Sequence, residues 1–358
     1  MKKVFFIMTS VNDAHAKKRA ADFKNKGYEV RQFGFLRHTN TKADEGTVII
    51  GQFSDDTPYL NRVKIYLNGL RKIFKTYQDK NIIWYYQGLD VAMFSHFLNP
   101  RGNYIYEECD LAHTYIHHKM IRSAFELIDK YIIRKSKATV LTSDGFLDFH
   151  YHSTDNCPQN VYMIPNKLSA RVQEFPYEVT HKPDLSHISF AFIGGVRFKS
   201  LISIADIISE KFPQHEFHFH GFFDPMFPPE SRLCRENVYY HGSFKSPDDL
   251  PSIYKSTDVV ICTYDIASAN VRYAEPNKLY EAIYFQRPIV VSSGTFLASK
   301  IKALGIGYEC DPFSESDVVK IVKQIETDYY NKVESLAKID RLSALDDDTY
   351  IDKLPLHT

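Results

Sequence analysis

Short runs of Val, Ile and Phe alternate along this chain with longer stretches in which apolar residues recur every three or four positions. The first pattern suits strands buried on both faces and the second suits covering helices, so their alternation predicts parallel α/β sheets. Strands are expected over 4–8, 28–35, 47–52, 81–86, 104–107 and 138–142, and a last one opens residues 161–167. Helices are expected over 13–26, 60–77 and 114–136, the first stopped by Gly27. A polar passage at 169–187, carrying Pro176 and Pro183, reads as a linker. A second series then predicts strands over 188–193, 216–220, 238–241, 259–263 and 288–292, with helices over 201–211, 247–256, 276–285, 295–304 and 315–342. The expected organisation is α/β, with doubly wound domains at 1–168 and 188–330 facing a cleft, then a helix and acidic tail at 331–358. Such sheets bind ligands at the C-terminal ends of their strands.

A chain of 358 residues is long enough for two cores. Its 44 Lys and Arg balance 44 Asp and Glu, so no overall field calls for nucleic acid as a partner. The cysteines Cys109, Cys157, Cys234, Cys262 and Cys310 are scattered without a C-x-x-C pair, which points to reduced thiols and a cytoplasmic location. The apolar start is cut off by Thr9, Ser10, Asn12 and Asp13 and reads as a strand, not a signal peptide.

The chemistry concentrates after strands of the second half. Ile193 leads into Gly194 and Gly195, then Arg197 and Lys199; glycines admit a diphosphate close to the backbone, and arginine can grip it bidentately. Pro276 opens a helix that carries Asn277, Lys278 and Leu279, with Glu281 on the same face as Lys278. Such a helix start suits a phosphorylated ligand, and a carboxylate beyond it can accept sugar hydroxyls. Gly242 ends another strand, and Phe244 is placed to flank a base. Neither G-x-G-x-x-G nor G-K-[ST] occurs, which argues against dehydrogenase and kinase readings.

In the first half Asp13 is a natural helix cap, yet Asp13 or His15 also stands where an acceptor hydroxyl would arrive. Glu107, Glu108 and Asp110 are close enough in sequence to raise one another's pKa. His218 and His220 share a strand face without an obvious third ligand, and no metal site is expected. Residues 60–75 carry an apolar stripe (Val63, Leu67, Leu70, Phe74) among cations, suited to sheet contact or to an anionic membrane surface.

With these pieces in order, the run from Glu275 to Ser292 resembles the P-x-K-x-x-E-x-x-x-x-x-x-P-V-V donor motif of GT-B glycosyltransferases of the group 1, family 4 type. The segments Ile193–Arg197, Val161–Lys167 and Asp13–Val30 are similar to other parts of that family, whose bacterial members build capsular, exopolysaccharide or lipopolysaccharide glycans. The resemblance implies two Rossmann-like domains and transfer, with retention, from a nucleotide-diphosphate sugar to a carbohydrate or lipid-linked acceptor. It implies no obligatory cofactor or metal, and work in the cytoplasm or at the inner face of the membrane. By motif, Arg197 and Lys278 would hold the diphosphate, Glu281 the ribose, and Glu275 would face the sugar. Five residues separate Glu275 from Glu281 where the family has seven. Rival readings are a nucleotide-sugar epimerase on the same fold and a non-catalytic sugar-nucleotide-binding partner of an assembly complex.

Overall fold

The computed structural model describes residues 2–37, 46–54, 56–152, 154–179, 182–225, 227 and 232–356. The chain forms two compact units, Met1–Pro165 with Asp347–Thr358, and Asn166–Asp346.

Unit 1 is built on seven parallel strands: β1 (Lys3–Met8), β2 (Glu29–Leu36), β3 (Thr47–Gln52), β4 (Ile82–Gln87), β5 (Asn103–Glu108), β6 (Ala138–Leu141) and β7 (Val161–Met163). Their order is β3-β2-β1-β4-β5-β6-β7, so the winding reverses beside β1. Its helices are α1 (Ala14–Asn25), α2 (Tyr59–Thr76), α3 (Leu89–Leu98), α4 (Lys119–Lys135) and α5 (Asp144–Tyr151). Alternate residues of β1 serve two cores, Phe5 and Ile7 on one face and Val4, Phe6 and Met8 on the other. Tyr66, Leu70 and Ile73 of α2 are buried in the first core, and Gly69 lets the helix touch the Ile50 carbonyl where a Cβ would collide. Of the expected stripe, Leu70 is buried and Phe74 partly buried against the sheet, while Val63 and Leu67 are half-buried outside that core.

Helix α3 was invisible to periodicity because LDVAMFSHFL is apolar on nearly every side. The acidic end of the chain does not trail off: Tyr350, Ile351, Leu354 and Leu356 join the second core of unit 1. Lys26 binds Asp352 at 2.7 Å and Asp348 at 3.4 Å.

Unit 2 holds β8 (Ser189–Ile193), β9 (Glu216–His220), β10 (Val238–Gly242), β11 (Val259–Cys262), β12 (Ile289–Ser292) and β13 (Gly307–Cys310), in the order β10-β9-β8-β11-β12-β13. All pairings are parallel. Its helices are α6 (Lys199–Lys211), α7 (Leu250–Lys255), α8 (Ala269–Tyr273), α9 (Lys278–Phe285), α10 (Phe296–Leu304) and α11 (Glu315–Ala337). Helices α6 and α11 share a core with Phe190, Phe217 and Phe219. Helices α7, α9 and α10 share another with Ala191, Val260 and Val291. The strand β13 went unread in the sequence, and α11 stops at Ala337, short of residue 342.

Candidate functional site

In unit 2 three strand ends meet on glycines. The Gly194 N–H donates to the His220 carbonyl at 2.7 Å and the Gly221 N–H to the Gly242 carbonyl at 2.7 Å. Gly194 (φ 146°), Gly221 (φ 136°) and Gly242 (φ 76°) all take backbone conformations that side chains disfavour. A Cβ on Gly221 would run into the Gly194 carbonyl, so the close approach itself requires glycine there.

Two cations border this turn. A methyl group on Gly194 would lie 3.0 Å from Lys278 Nζ, and one on Gly195 would lie 3.2 Å from Arg197 Nε. Lys278 Nζ stands 4.7 Å from the centre of the Phe192 ring, and the Arg197 guanidinium 5.3 Å from that of Phe222. Among the described residues neither cation belongs to an ion pair. Lys199 is exposed at the start of α6, where its N–H and that of Ser200 donate to the Asp265 carboxylate at 3.2 and 2.8 Å. The start of α6 is thus already neutralised. At the start of α9 Asn277 makes no side-chain cap, the Leu279 and Tyr280 N–H groups donate to the Pro276 and Asn277 carbonyls, and Glu281 is the acid of the first turn.

Other expected residues fall into distinct places. Glu281 accepts from the Tyr254 hydroxyl at 2.8 Å; burial pushes its pKa up while Lys278 pulls it down. Leu279 does not line a site: it is fully buried in the core, because its helix turns that side to the sheet. Glu275 is buried with both oxygens engaged, one by the Tyr280 hydroxyl and one by Lys300 Nζ at 2.6 Å. Tyr280, within α9, and Lys300, on α10, enclose it. Gly242 lines a pocket of about 430 Å³ together with Gly221, Phe222, Arg232 and Ser243. Phe244 instead leans on the core. The ring left open beside Gly195 is Phe222, 48% exposed, which the sequence reading missed although it directly follows a strand-end glycine.

In unit 1 Asp13 is committed as the cap of α1, accepting from the Ala16 N–H at 2.8 Å. His15 meets buried Glu107, Nε2 to Oε1 2.7 Å, while Arg19 Nε approaches at 3.3 Å and the Tyr85 hydroxyl at 2.9 Å. Burial alone would raise the Glu107 pKa, but these partners outweigh it and hold it near 2. Glu107 and Glu108 do not raise one another. They are neighbours in one strand and point to opposite faces. Glu108 meets His150 Nε2 at 3.0 Å, and burial, nearby Asp129 and, as expected, Asp110 drive its pKa up.

Neither a protein-family model nor a curated relative matches this chain. Solved structures do. Sucrose-phosphate synthase from Thermosynechococcus elongatus is similar at TM-score 0.73 and 12% identity over 98% of each chain. HepE of Anabaena in complex with UDP is similar at TM-score 0.67 and 12% identity, over 98% of this chain and 97% of its own. WaaG, a glycosyltransferase involved in lipopolysaccharide biosynthesis, gives TM-score 0.63 and 12% identity, over 98% and 99%. The chain has the two-domain, Rossmann-like GT-B fold expected of it.

Proposed function

We propose that the protein transfers a sugar from a nucleotide-diphosphate donor to a hydroxyl of a carbohydrate or lipid-linked acceptor, within cell-surface polysaccharide synthesis. The observation that carries this reading is the proximity of Lys278 to Gly194 and of Arg197 to Gly195 in the double-glycine turn. When the bond from the anomeric carbon to the diphosphate breaks, negative charge grows on the departing oxygens. Two cations without an ion pair among the described residues offer preorganised stabilisation of that charge. Together they suit a reaction that needs no metal at the diphosphate. Glu281, held by Tyr254, is assigned to the ribose hydroxyls. Gly242 and Phe222 are assigned to the base.

Glu275 is given a supporting role through Lys300, not sugar contact, since both its oxygens are occupied. Asn277 and Lys199 are left as flanking positions. His15, fixed by Glu107, replaces Asp13 as the group that meets the acceptor in unit 1. With retention, leaving and entering oxygens share one face of the sugar, so the departing diphosphate oxygen takes the acceptor's proton. The UDP complex of HepE supports a nucleotide ligand for this fold.

A membrane surface as a second partner is supported by α4. Met120, Leu127 and Tyr131 lie on one stripe and are 78%, 70% and 49% exposed, with Lys119, Lys130, Arg134 and Lys135 beside them. That arrangement suits an anionic lipid surface better than residues 60–75, where Tyr66, Leu70 and Ile73 are buried in the core. Among the described residues no helix is long and apolar enough to cross a membrane. A protein that acts from the cytoplasm on a lipid-linked acceptor accords with both.

The test is a thermal-shift screen of nucleotide sugars, then turnover of the stabilising donor with and without acceptors. Release of nucleoside diphosphate that depends on acceptor is expected. Isomerised donor without acceptor favours the epimerase; tight binding without turnover favours the non-catalytic partner.

A further inference from the structure

Along β9, Phe217 and Phe219 are buried beneath α6 and α11, which leaves His218 and His220 on the other face. Alone, that strand provides two imidazoles. The third comes from β10. Tyr239 stands opposite His218, but the ladder slips between Tyr240 and Gly242, so Gly242 and not His241 stands opposite His220. Such a bulge re-aims a side chain. The His241 ring lies on that of His220 with centres 4.1 Å apart, and its Nε2 comes 3.0 Å from His218 Nδ1. One nitrogen from each ring lies within 4.8 Å of the others.

A carboxylate stands behind this cluster. Glu216 Oε2 is 3.2 Å from His218 Nε2. Nε2 therefore carries the hydrogen, and Nδ1 presents its lone pair towards His241. The Tyr239 hydroxyl donates to the other Glu216 oxygen at 3.3 Å and steadies it. A carboxylate accepting from the far nitrogen of an imidazole is the usual support of a metal-ligating histidine.

We propose that His218, His220 and His241 bind a divalent transition ion of the zinc class at the edge of the unit 2 sheet. Neutral imidazoles favour such ions over magnesium or calcium, which take oxygen ligands. His218 Nδ1 and His241 Nε2 share a 3.0 Å hydrogen bond and the His220 and His241 rings are stacked 5° from parallel, so these side chains must turn for their in-plane lone pairs to meet at one ion. The three rings are half-buried or exposed, so an ion arrives from solvent and the fourth position is left to water. The site shares its backbone with the glycine turn, since His220 O accepts from Gly194 and the residue after His241 accepts from Gly221. An ion held by both strands steadies those ends and tightens nucleotide binding, a consequence that rests on the donor reading above.

Chelator-treated full-length protein is titrated with ZnCl2 by calorimetry and with CoCl2 by visible absorption. One equivalent is expected, with His220→Ala and His241→Ala each binding at least ~10-fold more weakly, as does Glu216→Gln. His187→Ala, an exposed histidine elsewhere, binds like the wild type. Melting in chelator checks that each variant folds, with His241→Gln as the substitute for any that does not. Equal zinc binding by the His218/His220/His241 triple alanine variant, or an equal response to MgCl2, overturns the site. UDP affinity is then measured with and without ZnCl2. Zinc binding that leaves UDP affinity unchanged overturns the link to the turn alone.

Discussion

The first strand of each unit ends in opposite electrostatics. In unit 2, β8 gives way to two glycines bordered by Lys278 and Arg197, neither ion-paired among the described residues. In unit 1, β1 gives way to Ser10-Val11-Asn12-Asp13, where Asp13 caps α1, and the nearby buried carboxylate of Glu107 is held by His15, Arg19 and Tyr85. Both sheets reverse their winding beside that strand, so topology alone does not distinguish them. What differs is whether the protein satisfies its own charge. A charge already satisfied adds stability, whereas one left open is available to a ligand.

Four substitutions test that contrast. Lys278→Ala removes a charge placed for the leaving group, so kcat/KM is expected to fall ~100-fold or more in steady-state assays while the melting temperature holds. Near-normal turnover would erase the distinction. Glu107→Gln leaves Arg19 buried without its counter-charge and is expected to cost about 3 kcal/mol in denaturant unfolding. The sign with pH follows from a lowered pKa. In the wild type this contribution is present above about 4.5, the unfolded value, and is lost as pH falls towards about 2. The variant's stability is expected to be flatter across that window.

Arg197→Ala, at an exposed position, is expected to weaken UDP binding ~10-fold by calorimetry without altering stability. Asp13→Ala loses a helix cap worth ~1 kcal/mol in thermal unfolding. If it abolishes turnover instead, unit 1 uses its carboxylates as unit 2 uses its cations.

Most of the fold was legible because buried parallel strands and amphipathic helices announce themselves by period. The misses were α3, apolar all round, the short helices α5 and α8, and β13, only four residues long. The site was legible where one short segment carries both backbone and chemistry, as in Gly194–Arg197 and Pro276–Glu281. It failed where residue type alone did not say which way a side chain turns: Leu279 into the core, Glu275 onto Lys300, Phe222 rather than Phe244 left open.

By itself, then, the amino-acid order determined two wound sheets, their helices, and a glycine turn and lysine-bearing helix near strand ends. Only the tertiary structure decided which charges are answered inside the protein, that α6 begins under Asp265, and that a third histidine comes from β10. The reason is range. Periodicity and turns are set by neighbours within a few residues, whereas the partners of Lys199, Glu275 and His218 lie 66, 25 and 23 positions away.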